Sequence, residues 1–136
     1  MKELAAGAEA IVTYTVTPAM TAQAVGSGSL AVLATPVVAA WMEKAACEVL
    51  APYLEKGLTT VGTMIEVEHL SATPVGMAVT VKAILTAWED RKYTFVMTAE
   101  DNDGLIAKGQ HERFLVKEGR FVEKTYQKLR EGAIYG

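Results

Sequence analysis

The chain has 136 residues, of which 51% are hydrophobic and 21% charged, the composition of one globular domain covering 1–136 rather than of a disordered or multidomain protein. A net charge of −3, with no Arg/Lys run interleaved with aromatics, leaves no electrostatic footprint for nucleic acid. The longest apolar run, residues 30–42, is too short and is broken by Thr35 and Pro36, so neither a membrane span nor a membrane partner is expected.

Met1-Lys2-Glu3 leads into no apolar segment with a cleavage site, so a secretory signal is not expected. The single cysteine, Cys47, cannot form an internal disulfide. Both features agree with a cytoplasmic, reducing location. Residues 11–17, Ile-Val-Thr-Tyr-Thr-Val-Thr, alternate as a half-buried strand. Residues 18–29 are small and include Gly26-Ser27-Gly28-Ser29, the composition of a flexible loop placed like a lid.

Thr35-Pro36 then opens an apolar helix to about residue 54, with Thr35 as N-cap and Pro36 at the first helical position. At about 100° per residue, Glu43 points with Pro36, Ala39, Ala40, Ala46, Cys47, Leu50 and Leu54, whereas Lys44 and Glu48 form a separate wet stripe. A carboxylate on an apolar side is costly unless protonated, paired or hydrogen-bonded, and such groups concentrate at functional sites. The bland alternative is a Glu at the edge of the core that reaches water.

Four strand-like stretches follow, at about 60–70, 76–88, 92–100 and 105–116, separated by turn signals such as Glu89-Asp90-Arg91 and Asp101-Asn102-Asp103-Gly104. A short charged helix is expected at 123–131, on the surface or closing an edge. One apolar helix followed by an antiparallel meander is an α+β pattern in which a sheet wraps a central helix, the hot-dog architecture. A helix this apolar needs cover on most sides, which one small sheet does not supply, so a homodimer is expected.

His69 ends the first strand after the helix. Its parity partners Val61, Thr63, Ile65 and Val67 place it on the helix side, opposite Glu66 and Glu68. A lone inward His is commonly a core residue. Together with Glu43 it matches what a hydrolase needs at an activated carbonyl: a group that activates water and one that moves a proton. Gly62 interrupts a β-branched strand, either as a bulge or as a place where a substrate carbonyl approaches the backbone. Cys47, one turn from Glu43, is more suited to a pocket wall than to a nucleophile. His111 and Arg113 share a strand whose parity is unclear, and Arg113 either pairs with an acid such as Glu43, binds an anionic part of a ligand, or lies on the surface. No zinc spacing, phosphate loop or dinucleotide fingerprint occurs, so no metal and no cofactor is expected.

Ala34-Thr35, Met42-Glu43, Ala51-Pro52-Tyr53-Leu54-Glu55, Gly62-Thr63, Val67-Glu68-His69, Ala72-Thr73-Pro74-Val75-Gly76 and His111-Glu112-Arg113 together make the chain resemble the fluoroacetyl-CoA thioesterase family of hot-dog proteins, over nearly its whole length. The resemblance implies an acyl-CoA substrate, with Thr35, Glu43 and His69 as the catalytic group, Gly62 near the thioester carbonyl and Arg113 supporting the site. Residue periodicity alone does not promote Thr35. If the helix starts at Pro36, Thr35 and Glu43 are roughly 12 Å apart along its axis. They then share a site only through a frayed start, a loop that curls back, or a dimer interface. The family's lid carries phenylalanines before the helix, whereas residues 26–30 here hold no aromatic, so thioester hydrolysis is expected without fluoroacetyl selectivity. Two other readings are a hot-dog hydratase or dehydratase, disfavoured because no Asp lies in the helix, and a non-catalytic acyl-CoA-binding module.

Overall fold

The computed structural model describes residues 4–135, with 131–135 described as backbone only. The Met1-Lys2-Glu3 start lies outside them. Five strands, β1 (Glu9–Thr15), β2 (Leu58–His69), β3 (Ala78–Glu89), β4 (Lys92–Asp101) and β5 (Gly104–Lys117), form one antiparallel sheet in the order β1-β3-β4-β5-β2. Three helices join them: the single turn α1 (Ala22–Val25), the long α2 (Thr35–Leu50) and the C-terminal α3 (Glu118–Tyr135). The β3–β4 and β4–β5 connections are the two-residue hairpin loops Asp90-Arg91 and Asn102-Asp103. Tight hairpins commonly use a residue at positive φ: Asp90 (φ 58°) within the first loop, and Gly104 (φ 124°), the first residue of β5, just after the second. No helix among the described residues is long and apolar enough to cross a membrane.

The sheet curls around α2, chiefly through β3 and β1. Val38, Trp41, Met42, Ala45, Ala46, Val49 and Leu50 are the buried face of the helix, a spacing of three and four residues. The alanines let its backbone approach Val79, Val81, Ala83, Phe95 and Met97 of the sheet. Tyr14 of β1 stacks on Trp41, ring centroids 4.6 Å apart. Pro36, Ala40, Lys44 and Glu48 face solvent, so the sheet covers only part of the helix.

Three expectations are corrected. Ala34, with extended φ and ψ, is the N-cap of α2 and makes no side-chain cap bond, so Thr35 is the first helical residue and its hydroxyl is free for another partner. The expected flexible loop at 18–29 is instead partly ordered: it holds a 3₁₀ turn and α1, Thr21 caps α1, Ala22 N–H donates to Val32 O, and a backbone bridge joins Thr21 to Leu33. The C-terminal helix starts at Glu118 instead of 123, because Gly119 falls in its first turn, where glycine costs little, rather than stopping a strand.

A bulge between Gly62 and Met64 sets the faces of β2. Paired residues of antiparallel strands share a face, so Ile65, Val67 and His69 lie on the side of His111, Gly109 and Ala107. The extra residue, Thr63, reverses the alternation. Val61 and Thr63 are therefore not on the face of His69. Gly62, paired with Arg113, is.

Candidate active site

Thr35 and His69 meet at the N-terminus of α2, with Thr35 Oγ1 2.7 Å from His69 Nδ1. They line one cleft of about 270 Å³ with Ala22, Ser27, Val32, Leu33 and residues 70–72. The cleft wall is held in place by Thr73, whose buried hydroxyl donates to Asp101 Oδ2 at 2.8 Å while its carbonyl accepts from Leu33 N–H. His69 Nε2 is the one buried side-chain N or O atom among the described residues without a hydrogen-bond partner. Burial pushes the His69 pKa down and a backbone hydrogen bond with Ser71 partly opposes the shift, so the ring is neutral at physiological pH. Where Nδ1 accepts from the Thr35 hydroxyl the proton of the neutral ring is on the buried Nε2, and where Nδ1 carries the proton the hydroxyl accepts it.

A second group forms around the middle of α2. Glu43 Oε2 lies 3.7 Å from Arg113 Nη1, and the Glu43 side chain is 43% accessible while that of Arg113 is 8%. Glu43 is thus not a core carboxylate: it stands on the border between the buried and open faces of α2, over β2. It fits there because Gly62 has no side chain, since a Cβ at that position would stand 2.8 Å from Glu43 Oε2, 3.1 Å from His111 Cε1 and 3.3 Å from Arg113 Nη1.

Arg113 is fixed by four contacts. Its Nε donates to Thr60 Oγ1 (2.8 Å), Nη2 to Thr60 O (2.9 Å) and Nη1 to His111 Nε2 (3.1 Å), besides the Glu43 pair. The tautomer of His111 follows from its other nitrogen. Nδ1 lies 2.7 Å from the Met64 carbonyl, which only accepts, so Nδ1 carries the hydrogen and Nε2 is free to accept from Arg113. Burial, and next to it the Arg113 cation against the opposing Met64 bond, hold the His111 pKa down, so the ring is neutral. Neither the role of His111 nor that of Thr60 is read from the sequence, although the spacing of two between His111 and Arg113 does put both on one face of a strand.

The structure therefore gathers the candidate residues into two groups: Thr35 with His69, and Glu43 with Gly62 and Arg113. Eight residues of helix, about 12 Å, separate Thr35 from Glu43 within one chain. No cluster of three or more His, Cys, Asp or Glu with metal-site geometry occurs among the described residues.

Residues 16–119 match the family model of the fluoroacetyl-CoA-specific thioesterase, FlK. The chain is 40% identical over 101 residues to the fluoroacetyl-CoA thioesterase of Streptantibioticus cattleyicolor, covering 74% of this chain and 73% of that protein. A crystal structure of a point variant of FlK superposes with a TM-score of 0.88 at 32% identity, over 94% of this chain and 99% of that one. A Thermus thermophilus thioesterase superfamily member of otherwise hypothetical assignment superposes with a TM-score of 0.90 at 29% identity, over the full length of both. With the family model matching 104 of the 136 residues, the chain belongs to the fluoroacetyl-CoA-specific thioesterase family of hot-dog proteins.

Proposed function

We propose that the protein is an acyl-CoA thioesterase that hydrolyses a short-chain acyl-CoA to the free acid and CoA. The observation that carries this reading is the 2.7 Å contact between Thr35 Oγ1 and His69 Nδ1 in the wall of a cleft. The Glu43 carboxylate, held by Arg113, acts on the thioester carbonyl, either by removing a proton from water or by direct attack followed by hydrolysis of the resulting anhydride. Backbone N–H groups near Gly62 hold the oxyanion. The proton that Glu43 takes from the attacking water ends on the departing thiolate, with the neutral His69 ring hydrogen-bonding near the leaving sulfur, so the sum is acyl-CoA plus water to acid plus thiol. Release of free thiol from a panel of acyl-CoAs, followed with a thiol-reactive dye, tests the reading; its absence throughout the panel would overturn it.

The 12 Å gap between the two groups is closed by a second copy of the chain. Strand β2 is an edge strand, paired only with β5 among the described residues, and Met64 and Ile65 lie partly exposed along it. Antiparallel pairing of two such edges runs the Gly62 end of one past the His69 end of the other. A two-fold dimer then holds two sites, each built from Thr35 and His69 of one protomer and Glu43, Gly62 and Arg113 of its partner, and it also covers the open face of α2. A cytoplasmic location agrees with the single cysteine and with a CoA substrate.

A further inference from the structure

We propose that His111 is a positioning residue for hydrolysis: by accepting a hydrogen bond from Arg113 it keeps the guanidinium from closing on Glu43, so that the carboxylate has a cation beside it while its oxygens stay free to act. The proposal rests on the thioesterase reading, in which Glu43 works on the carbonyl, and adds a residue that serves Glu43 without touching substrate.

A guanidinium carries only N–H donors and no acceptor. Beside a carboxylate it commonly forms a bidentate pair, whose short N–H···O bonds occupy both oxygens. That pair is not made here. Arg113 Nη1 stands 3.7 Å from Glu43 Oε2, beyond hydrogen-bond length. The donors go elsewhere: Nε and Nη2 to the hydroxyl and carbonyl of Thr60 at 2.8 and 2.9 Å, and Nη1 to His111 Nε2 at 3.1 Å. Thr60, His111 and Arg113 are all buried, where a lost acceptor is not simply replaced by water. The adjacent acid, Glu112, pairs with Lys92 at 3.4 Å instead of with Arg113.

His111 accepts because its other nitrogen donates. Nδ1 lies 2.7 Å from the carbonyl of Met64, the residue that closes the β2 bulge. The irregularity that turns Gly62 toward Glu43 thus also supplies the acceptor that sets the His111 tautomer. Phe95 packs against the ring, centroids 6.1 Å apart. At 1% exposure the imidazole reaches neither substrate nor solvent, and its one proton is committed to the main chain, so it is not a general acid or base. What remains for it to offer is the lone pair on Nε2. Without that lone pair, the acceptor already at hand for Nη1 is Glu43 Oε2.

The test separates the two nitrogens. His111→Phe removes both. His111→Gln returns an amide oxygen near the place of Nε2, and His111→Asn returns an amide N–H near the place of Nδ1 and nothing toward Arg113. With acetyl-CoA as substrate, His111→Phe and His111→Asn should lower kcat by about 10²-fold, the usual effect of misplacing a reacting group, with KM within about a factor of three of wild type. His111→Gln should keep kcat within about fivefold. Its melting temperature should be no higher than that of His111→Asn, since it is the variant that loses the Met64 bond, so activity and stability rank differently. Equal kcat for His111→Gln and His111→Asn, a more active His111→Asn, or a loss carried by KM would overturn the proposal. A measurement on the native ring covers the case in which the variants do not fold. In His69→Gln, whose one remaining histidine is His111, nitrogen NMR should find the hydrogen on Nδ1 and an unprotonated Nε2; the opposite tautomer would overturn the proposal as well. A wild type that releases no thiol from any acyl-CoA overturns the thioesterase reading instead.

Discussion

The Thr35 hydroxyl pairs with His69, 2.7 Å from Nδ1, rather than with its own helix, because Ala34 takes the N-cap position. A threonine spent on capping would be worth about 1 kcal/mol of helix stability. Here the effect of its loss should fall on turnover. Thr35→Val keeps the shape and removes the hydrogen bond that orients the imidazole, so kcat should drop by about 10²-fold with the melting temperature nearly unchanged, and Thr35→Ser should retain most activity. Loss of stability without loss of kcat would show that the contact is structural.

The two histidines give stability and activity the same pH dependence. Both pKa values are lowered below 6.5 in the folded state, chiefly by burial. Below pH 6.5 the unfolded chain takes up protons that the folded chain resists, so stability is complete above that pH and declines as pH falls from 6.5 through the depressed folded values. In the proposed mechanism turnover uses neutral His69, so it should hold below pH 6.5 and then fall on the same acid side. Chemical denaturation and kcat measured between pH 8 and pH 4, a range wide enough to span ordinary histidine titration, should show both limbs. His111→Gln should reduce the acid loss of stability.

Gly62 and Gly109 separate function from folding on neighbouring stretches of sheet. A Cβ at position 62 meets the ends of three flexible or semi-flexible side chains, with Glu43 Oε2 nearest at 2.8 Å. Gly62→Ala should fold, displace the carboxylate and lower kcat by about 10²-fold, the usual effect of misplacing a reacting group by about 1 Å. A Cβ at position 109 overlaps the backbone carbonyl of Glu66 and also crowds Met42 Sδ at 3.4 Å. Backbone cannot rotate aside, so Gly109→Ala should destabilise the protein by about 1–3 kcal/mol or more. Thermal melts and kcat for the two variants decide the matter.

The expected strands at 76–88, 92–100 and 105–116 and the central helix stand within about two residues of β3, β4, β5 and the start of α2, because period-two alternation and hairpin residues are local signals that tertiary contacts here reinforce. What periodicity missed is where one residue changes the count. Alternation carried unbroken through Thr63 puts Gly62 on the wrong face, and only the pairing with β5 shows the bulge. Thr60 is a β-former like any other until Arg113 reaches it across the strand pair. Helical periodicity gives the direction of Glu43 but not that the sheet leaves that border of α2 open opposite Gly62.

The cleft that holds Thr35 and His69 is lined by small and aliphatic residues, with no aromatic. An apolar aromatic lid excludes water and packs on a substrate in ways that Ala22, Ser27 and Val32 do not. Acetyl-, fluoroacetyl-, propionyl- and butyryl-CoA should therefore have kcat/KM values within roughly 10–200-fold of one another. A fluoroacetyl preference over acetyl of about 10⁴ or more would show that selectivity needs no aromatic at the cleft.

Composite sites make the sharpest claim about the dimer. Thr35→Val disables one half of each site and Glu43→Gln the other, and each homodimer variant should be nearly inactive. In a mixed dimer of the two, one site collects both substitutions and the other collects neither. Random exchange of equal amounts yields about half mixed dimers, each with one intact site of two, so unfolding and refolding the variants together should recover about one quarter of wild-type activity. Sites built within single chains give no recovery, because every chain then carries a damaged one. The recovered activity should elute with the dimer on size-exclusion chromatography. Thiol release remaining at the level of the separate variants after verified subunit exchange would place Thr35 and Glu43 in one protomer, and the 12 Å between them would then have to be closed by movement of α2 rather than by a partner.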